Sequence, residues 1–192
     1  MAFTPADVEA HRDIIETSDF VVAQFESAVD STVEAFKIAQ AAGVRTILNP
    51  APAMEKVPAE LLAVTDMIVP NETETETLTG IAITNEASML KASAALHALG
   101  ISAVIITIGS KGAFYDIDGR HGIVPAFKVE AVDTTSAGDT FIGAMSSVLN
   151  KDFSNLEDAI RYGNRASSIA VQRFGAQPSI PYKNEITAAE GK

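Results

Sequence analysis

An α/β fold on a largely parallel sheet is predicted by three features of this chain. Short apolar runs alternate with amphipathic stretches along its length. The strongest run, AVIITIG at 103–109, is continuous, β-branched and ends at Gly. Amphipathic stretches stop at Gly43, Gly80 and Gly100. Alternation of this kind builds a sheet covered by helices, and a run apolar at every position suits a strand buried on both faces.

The elements follow in order. Thr4 caps a first helix, with Pro5 at its opening position, Asp7 in its first turn and Val8, Ile14 and Ile15 as the buried side. DFVVAQFE (19–26) reads as a strand, STVEAFKIAQAA as a helix closed by Gly43, and VRTIL as a second strand running to Asn49. A Pro-marked loop, NPAPAMEKVP, leads to a short ELLAV helix and a DMIVP strand. Helices are expected over 71–79 and 85–99, then the 103–109 strand. AFYDID, GIVPAF and KVEAV suggest antiparallel strands or strand–turn pieces, before helices over 137–149, 155–173 and 182–189.

At 192 residues and 47% apolar composition, the chain supports one sizeable core, so a single domain over 1–192 is expected. Zero Cys excludes a disulfide framework, a thiolate zinc site and a cysteine nucleophile, and fits a reducing compartment. A formal charge of −11, with 14 Lys and Arg and no basic run, argues against nucleic-acid binding. The start MAFTPADVEA lacks the pattern of a signal peptide, and no eighteen apolar residues run together. No membrane partner and a cytoplasmic location are expected.

Chemistry concentrates in AVDTTSAGDTFIGAM, residues 131–145. Ser136, Ala137 and Gly138 are small and precede a long apolar-faced helix, so backbone can approach a ligand closely. The first amides of a helix lack intrahelical acceptors and, with the helix dipole, bind anions. Asp139 falls in that first turn. On residues alone it is either a base beside an anion pocket or a helix-start acid that complements the dipole.

DTTSAGDTFIGA resembles the C-terminal signature of the ribokinase-like carbohydrate and nucleoside kinases. The resemblance implies a three-layer α/β/α fold with a mostly parallel sheet. It also implies Asp139 as the base that takes a proton from the accepting sugar hydroxyl, and the backbone at Ser136, Ala137, Gly138 and Asp139 as the anion hole. PNETETETLTG (70–80) resembles the family's Asn-x-x-Glu element. Asn71 and Glu74 would then organise waters around Mg²⁺, with Asn71 also near ATP; an N-cap with an acidic first turn explains the same spacing. TIGSKG (107–112) resembles the nucleotide loop, which implies ATP contacts at Thr107, Gly109, Ser110 and Gly112. Lys111 reads as a solvated lysine, and no GxxxxGK[ST] is present.

Further correspondences imply Glu26 at the sugar, Asn164 at the adenine pocket and a K⁺ loop in RFGAQPSIP. In that loop Asp133 and Thr135 form one side, and Ala170, Arg173, Gly175 and Ser179 the other, largely through carbonyls. A Gly turn after a helix is the plain alternative. NPAPA, NETE and GAQPS together are closest to the ribose-phosphorylating members of the family. The resemblance implies ATP-dependent phosphorylation of a sugar, with another family substrate (fructose, a deoxysugar or a nucleoside) or a noncatalytic nucleotide-binding module as alternatives. No GxGxxG opens a helix after a strand, which disfavours a dinucleotide enzyme. The family's first portion, with its Gly-Gly sugar element and β-lid, has no counterpart here, so the 19–26 strand is expected at a sheet edge that favours homo-oligomers.

Overall fold

Thr4 and Asp7 cap each other reciprocally at the start of α1 (Pro5–Glu9) in the computed structural model, which describes residues 3–188. The single helix expected here is two: α2 (Arg12–Glu16) starts afresh after His11. The His11 Nδ1 lies 2.8 Å from the Asp7 carbonyl, a side-chain bond that competes with helix continuation. Val8 is buried, but Ile14 is 60% exposed, so the expected apolar face is only partly used.

The elements then alternate as expected: β1 (Phe20–Ala23), α3 (Val29–Ala41), β2 (Arg45–Leu48), α4 (Ala59–Leu62), β3 (Met67–Ile68), α5 (Glu72–Thr79), α6 (Glu86–His97) and β4 (Ala103–Thr107). β1 is half the length expected, because the chain turns away after Ala23. There the Phe25 amide donates to the Ala51 carbonyl and the Asn49 amide to the Ala23 carbonyl. The hairpin β5 (Ala113–Ile117) and β6 (Arg120–Val124) turns through Asp118 and Gly119, both at positive φ, as a tight two-residue connection requires. Such a connection makes the pair antiparallel.

Sheet order is β1-β2-β3-β4-β5-β6, with β1 through β4 mutually parallel. Ala103 to Ile106 of β4 are fully buried, which accounts for an unbroken apolar run at that place. Between β2 and β3, the Thr46 hydroxyl donates to the Val64 carbonyl and accepts the Asp66 amide. Asp66 in turn accepts the Thr46 amide and an Arg45 N–H. These bonds satisfy polar groups at strand ends that the short β3 leaves open.

KVEAV forms no strand. The amides of Val132 and Asp133 go instead to the Val171 carbonyl, so the segment's hydrogen bonds are spent on a helix end rather than on a sheet. The helices α7 (Ala137–Val148), α8 (Leu156–Ala170) and α9 (Lys183–Ala188) follow; the last residue of the helix expected over 182–189 lies outside the described residues.

The Cα positions group into two units. One runs to Ile106 and includes Phe114–Gly122; the other is Thr107–Ala113 with the chain from Ile123 onward. In the first, α3 packs on β1 and β2, with Phe36 fully buried. In the second, α7 and α8 pack together where Gly163 has no side chain. A Cβ there would lie 2.9 Å from the Phe141 carbonyl oxygen and ring edge. Gly163→Val is therefore expected to cost about 1–3 kcal/mol by overpacking. Gly143→Ala on α7, with open space around its Cβ position, is expected to be neutral or stabilising. Urea denaturation midpoints of the two variants test this contrast.

Candidate active site

α7 begins at Ser136, whose backbone is left-handed (φ 60°) and whose side chain makes no capping bond. The Ala137 amide closes a turn on the Thr134 carbonyl at 3.2 Å, and the Thr140 amide reaches the Ser136 carbonyl at 2.9 Å. Gly138 follows in the first turn, where helical amides have no intrahelical acceptor. Gly138 and Asp139 are exposed while Ser136 and Ala137 are half-buried, so the turn opens to solvent. A carboxylate and first-turn helix amides on one exposed turn suit proton acceptance beside an anion.

Behind this turn, the two stretches expected to flank a cation are joined. Asp133 accepts the Thr135 amide and the Gly175 amide, each at 2.9 Å. The Gly175 amide chiefly, with Thr135, holds the Asp133 carboxyl down at about 2 from an ordinary 3.8. Ala170 and Ser179 are buried, and the Ser179 hydroxyl donates to the Ala176 carbonyl. Arg173 sends its guanidinium to Glu185, leaving only its backbone available to an ion. A carboxylate charged at neutral pH beside carbonyl-bearing backbone is an oxygen donor set that fits a hard monovalent cation.

The 107–112 stretch turns through a one-turn 3-10 helix at Gly109–Lys111, with Ser110 and Lys111 exposed and Thr107 half-buried. Gly112 has a different task from its neighbours. Its φ is 113°, and a Cβ would lie 2.1 Å from the Val124 carbonyl oxygen, so only glycine fits. Asn164 is buried and donates Nδ2 to the carbonyls of Val124 and Pro125, at 3.0 and 3.2 Å. Both residues thus grip the 124–125 backbone. α8 also carries a contact that sequence reasoning missed: Ser167 donates its hydroxyl to the Ala137 carbonyl at 2.6 Å. Four-residue spacing from Gly163 was the available signal, legible only once Gly163 is known to face α7.

Glu26, Asn71 and Glu74 belong to the other unit. Glu26 is exposed beyond the end of β1. Asn71 and Glu74 form a complete capping box on α5. The Glu74 carboxylate accepts both the Asn71 amide and its side-chain N–H, and Asn71 Oδ1 accepts the Glu74 amide. Burial pushes the Glu74 carboxyl up, against the lowering effect of those bonds. This donor set fits Mg²⁺ only through water. Among the described residues no three His, Cys, Asp or Glu gather as a metal cage. No helix among them is long and apolar enough to cross a membrane.

The chain belongs to the pfkB family of carbohydrate kinases, whose model matches residues 1–183. This is the family that DTTSAGDTFIGA, PNETETETLTG and TIGSKG resemble. It is 50% identical over 186 residues to ribokinase of Staphylococcus aureus (strain COL), covering 97% of this chain and 61% of that protein. Identity is also 50% to the bifunctional ribokinase/ribose-5-phosphate isomerase A of Fructilactobacillus sanfranciscensis, over 97% of this chain and 34% of that one. The solved structure of Arabidopsis thaliana ribokinase complexed with ribose and ATP superposes with a TM-score of 0.87 at 31% identity, over 94% of this chain and 58% of that chain. The fold is thus the ribokinase-like α/β fold, and the chain spans about a third to three fifths of these relatives' lengths.

The Asp133 bonds carry a pH dependence. A depressed carboxyl stabilises the fold fully above its unfolded value of 3.8, and that contribution is lost as pH falls through about 2. The stability gap between the wild-type chain and Asp133→Asn should therefore be constant at neutral pH, narrow below 3.8 and close near 2. Denaturation at stepped pH measures it.

Proposed function

We propose that this chain carries the ATP-binding, base-bearing part of a sugar kinase that phosphorylates D-ribose to ribose 5-phosphate. The observation that supports this most is Asp139, exposed beside Gly138 in the opening turn of α7, within the stretch that carries the family signature. The Arabidopsis relative bound to ribose and ATP supports the choice of substrates. Zero Cys agrees with a cytoplasmic setting.

In this reading Asp139 accepts the proton of the attacking ribose hydroxyl. Amides at the start of α7 hold the oxygens of the transferring phosphoryl group, whose chemistry needs positioning and charge stabilisation above all. Thr107, Gly109 and Ser110 contact ATP, with Gly112 and Asn164 shaping the backbone around it; Glu26 contacts the sugar. Mg²⁺, when bound, neutralises phosphate charge, and Asn71 with Glu74 orient its waters. Asp133, Thr135, Ala170, Arg173, Gly175 and Ser179 would hold K⁺ behind the anion-binding turn.

Calorimetry with ATP and Mg²⁺, followed by phosphorylation assays on ribose, fructose, a deoxysugar and a nucleoside, tests the reading. ATP binding with preferential ribose turnover is expected. Asp139→Asn should lower turnover by about 10²–10⁴-fold while sparing nucleotide binding; near-normal turnover would sink the assignment. A second reading is a nucleotide-binding module without turnover. ATP binding with no phosphorylation of any sugar selects it.

β1 ends the sheet, and Val22 on it is 43% exposed. A strand at the end of a sheet, with an exposed apolar side chain, supports self-association. Light scattering is expected to give a mass that rises with concentration, and a constant monomer mass would refute it.

A further inference from the structure

α8 presents a row of residues, four apart, to the start of α7. Gly163 allows the helices to touch at Phe141. One turn later, Ser167 donates to the Ala137 carbonyl at 2.6 Å. The Val171 carbonyl, one turn further on, accepts the amides of Val132 and Asp133. Residues so spaced share a helix face, so a single surface ties down the chain before and after Ser136.

The Ser167 contact differs from the others in what it controls. The Ala137 carbonyl and the Gly138 amide are opposite ends of one planar, trans peptide unit. A donor on the oxygen fixes the rotation of that plane and hence the direction of the N–H. It also draws electron density away from nitrogen, which makes the N–H a stronger donor. The carbonyl has a second lone pair, so this contact does not displace the helical bond. The Ala137 amide is already spent on Thr134, leaving Gly138 as the next amide in the turn.

We infer that Ser167 is a positioning residue: by holding the Ala137 carbonyl, it aims and polarises the Gly138 N–H toward a bound phosphoryl group. This rests on the phosphate-gripping role proposed above for the start of α7. Ala at position 167 is the strongest helix former, so Ser167→Ala removes the hydroxyl without weakening α8.

The test uses the full ¹⁵N-labelled chain with ATP and Mg²⁺ as the probe. In the nucleotide-free protein, Ser167→Ala is expected to move the Gly138 ¹⁵N resonance upfield, since that nitrogen senses the bond on the preceding carbonyl. The same variant should weaken ATP binding by about threefold to tenfold, as for one lost hydrogen bond, with an unchanged melting midpoint. Ser167→Thr, which keeps the hydroxyl, should restore both. A Gly138 resonance and ATP affinity identical in Ser167→Ala and wild type would overturn the inference. If the wild-type Gly138 amide does not respond to ATP, the phosphate-gripping reading fails instead, while the nucleotide-free comparison still judges the hold of Ser167 on the peptide.

Discussion

Because residue 163 has no side chain, α8 lies on α7 at a separation that any Cβ would violate, 2.9 Å from the Phe141 carbonyl. The geometry of the 132–139 segment depends on that approach. With the helices this close, Ser167 reaches the Ala137 carbonyl and Val171 receives two amides from the incoming chain. Ser136 can then stay in a left-handed conformation that costs a non-glycine residue roughly 1–2 kcal/mol. Such strain persists only where neighbouring bonds over-determine it.

The result is a turn whose polar groups are set in advance. Asp133 is bonded from both sides, by Thr135 and Gly175, and remains charged down to about pH 2. In the proposed reading, an anion-binding turn works best when its donors need no rearrangement as charge develops, and the backing contacts here come from a helix. The design separates two tasks. Exposed Gly138 and Asp139 face solvent, while half-buried residues on α8 and after it do the holding.

A similar division appears around Val124 and Pro125. Gly112 approaches their backbone where no side chain fits, and Asn164 spends its N–H groups on their carbonyls. Both lie in stretches whose resemblance implies nucleotide binding, yet their visible work is to shape the backbone. Asn71 and Glu74 behave likewise: the motif is also a full capping box. Motif residues can therefore serve by building a site as well as by touching its ligand.

The order of strands and helices, the caps at Thr4 and Asn71, the buried β4 and the family were all legible in the sequence. Each depends on local periodicity, on short-range side-chain bonds or on contiguous motifs. The break at His11, the early end of β1 and the lack of a strand at KVEAV were not legible. In each case a competing bond intervened: the Asp7 carbonyl for His11, Ala51 for Phe25, Val171 for Val132. Two of those three partners are distant along the chain. By itself the sequence determined the order of most elements and the motifs that carry the family, because propensity, capping and contiguous motifs act within a few residues. Tertiary structure alone decided how the site is held, because Ser167 meets Ala137 across thirty positions only after two helices have packed.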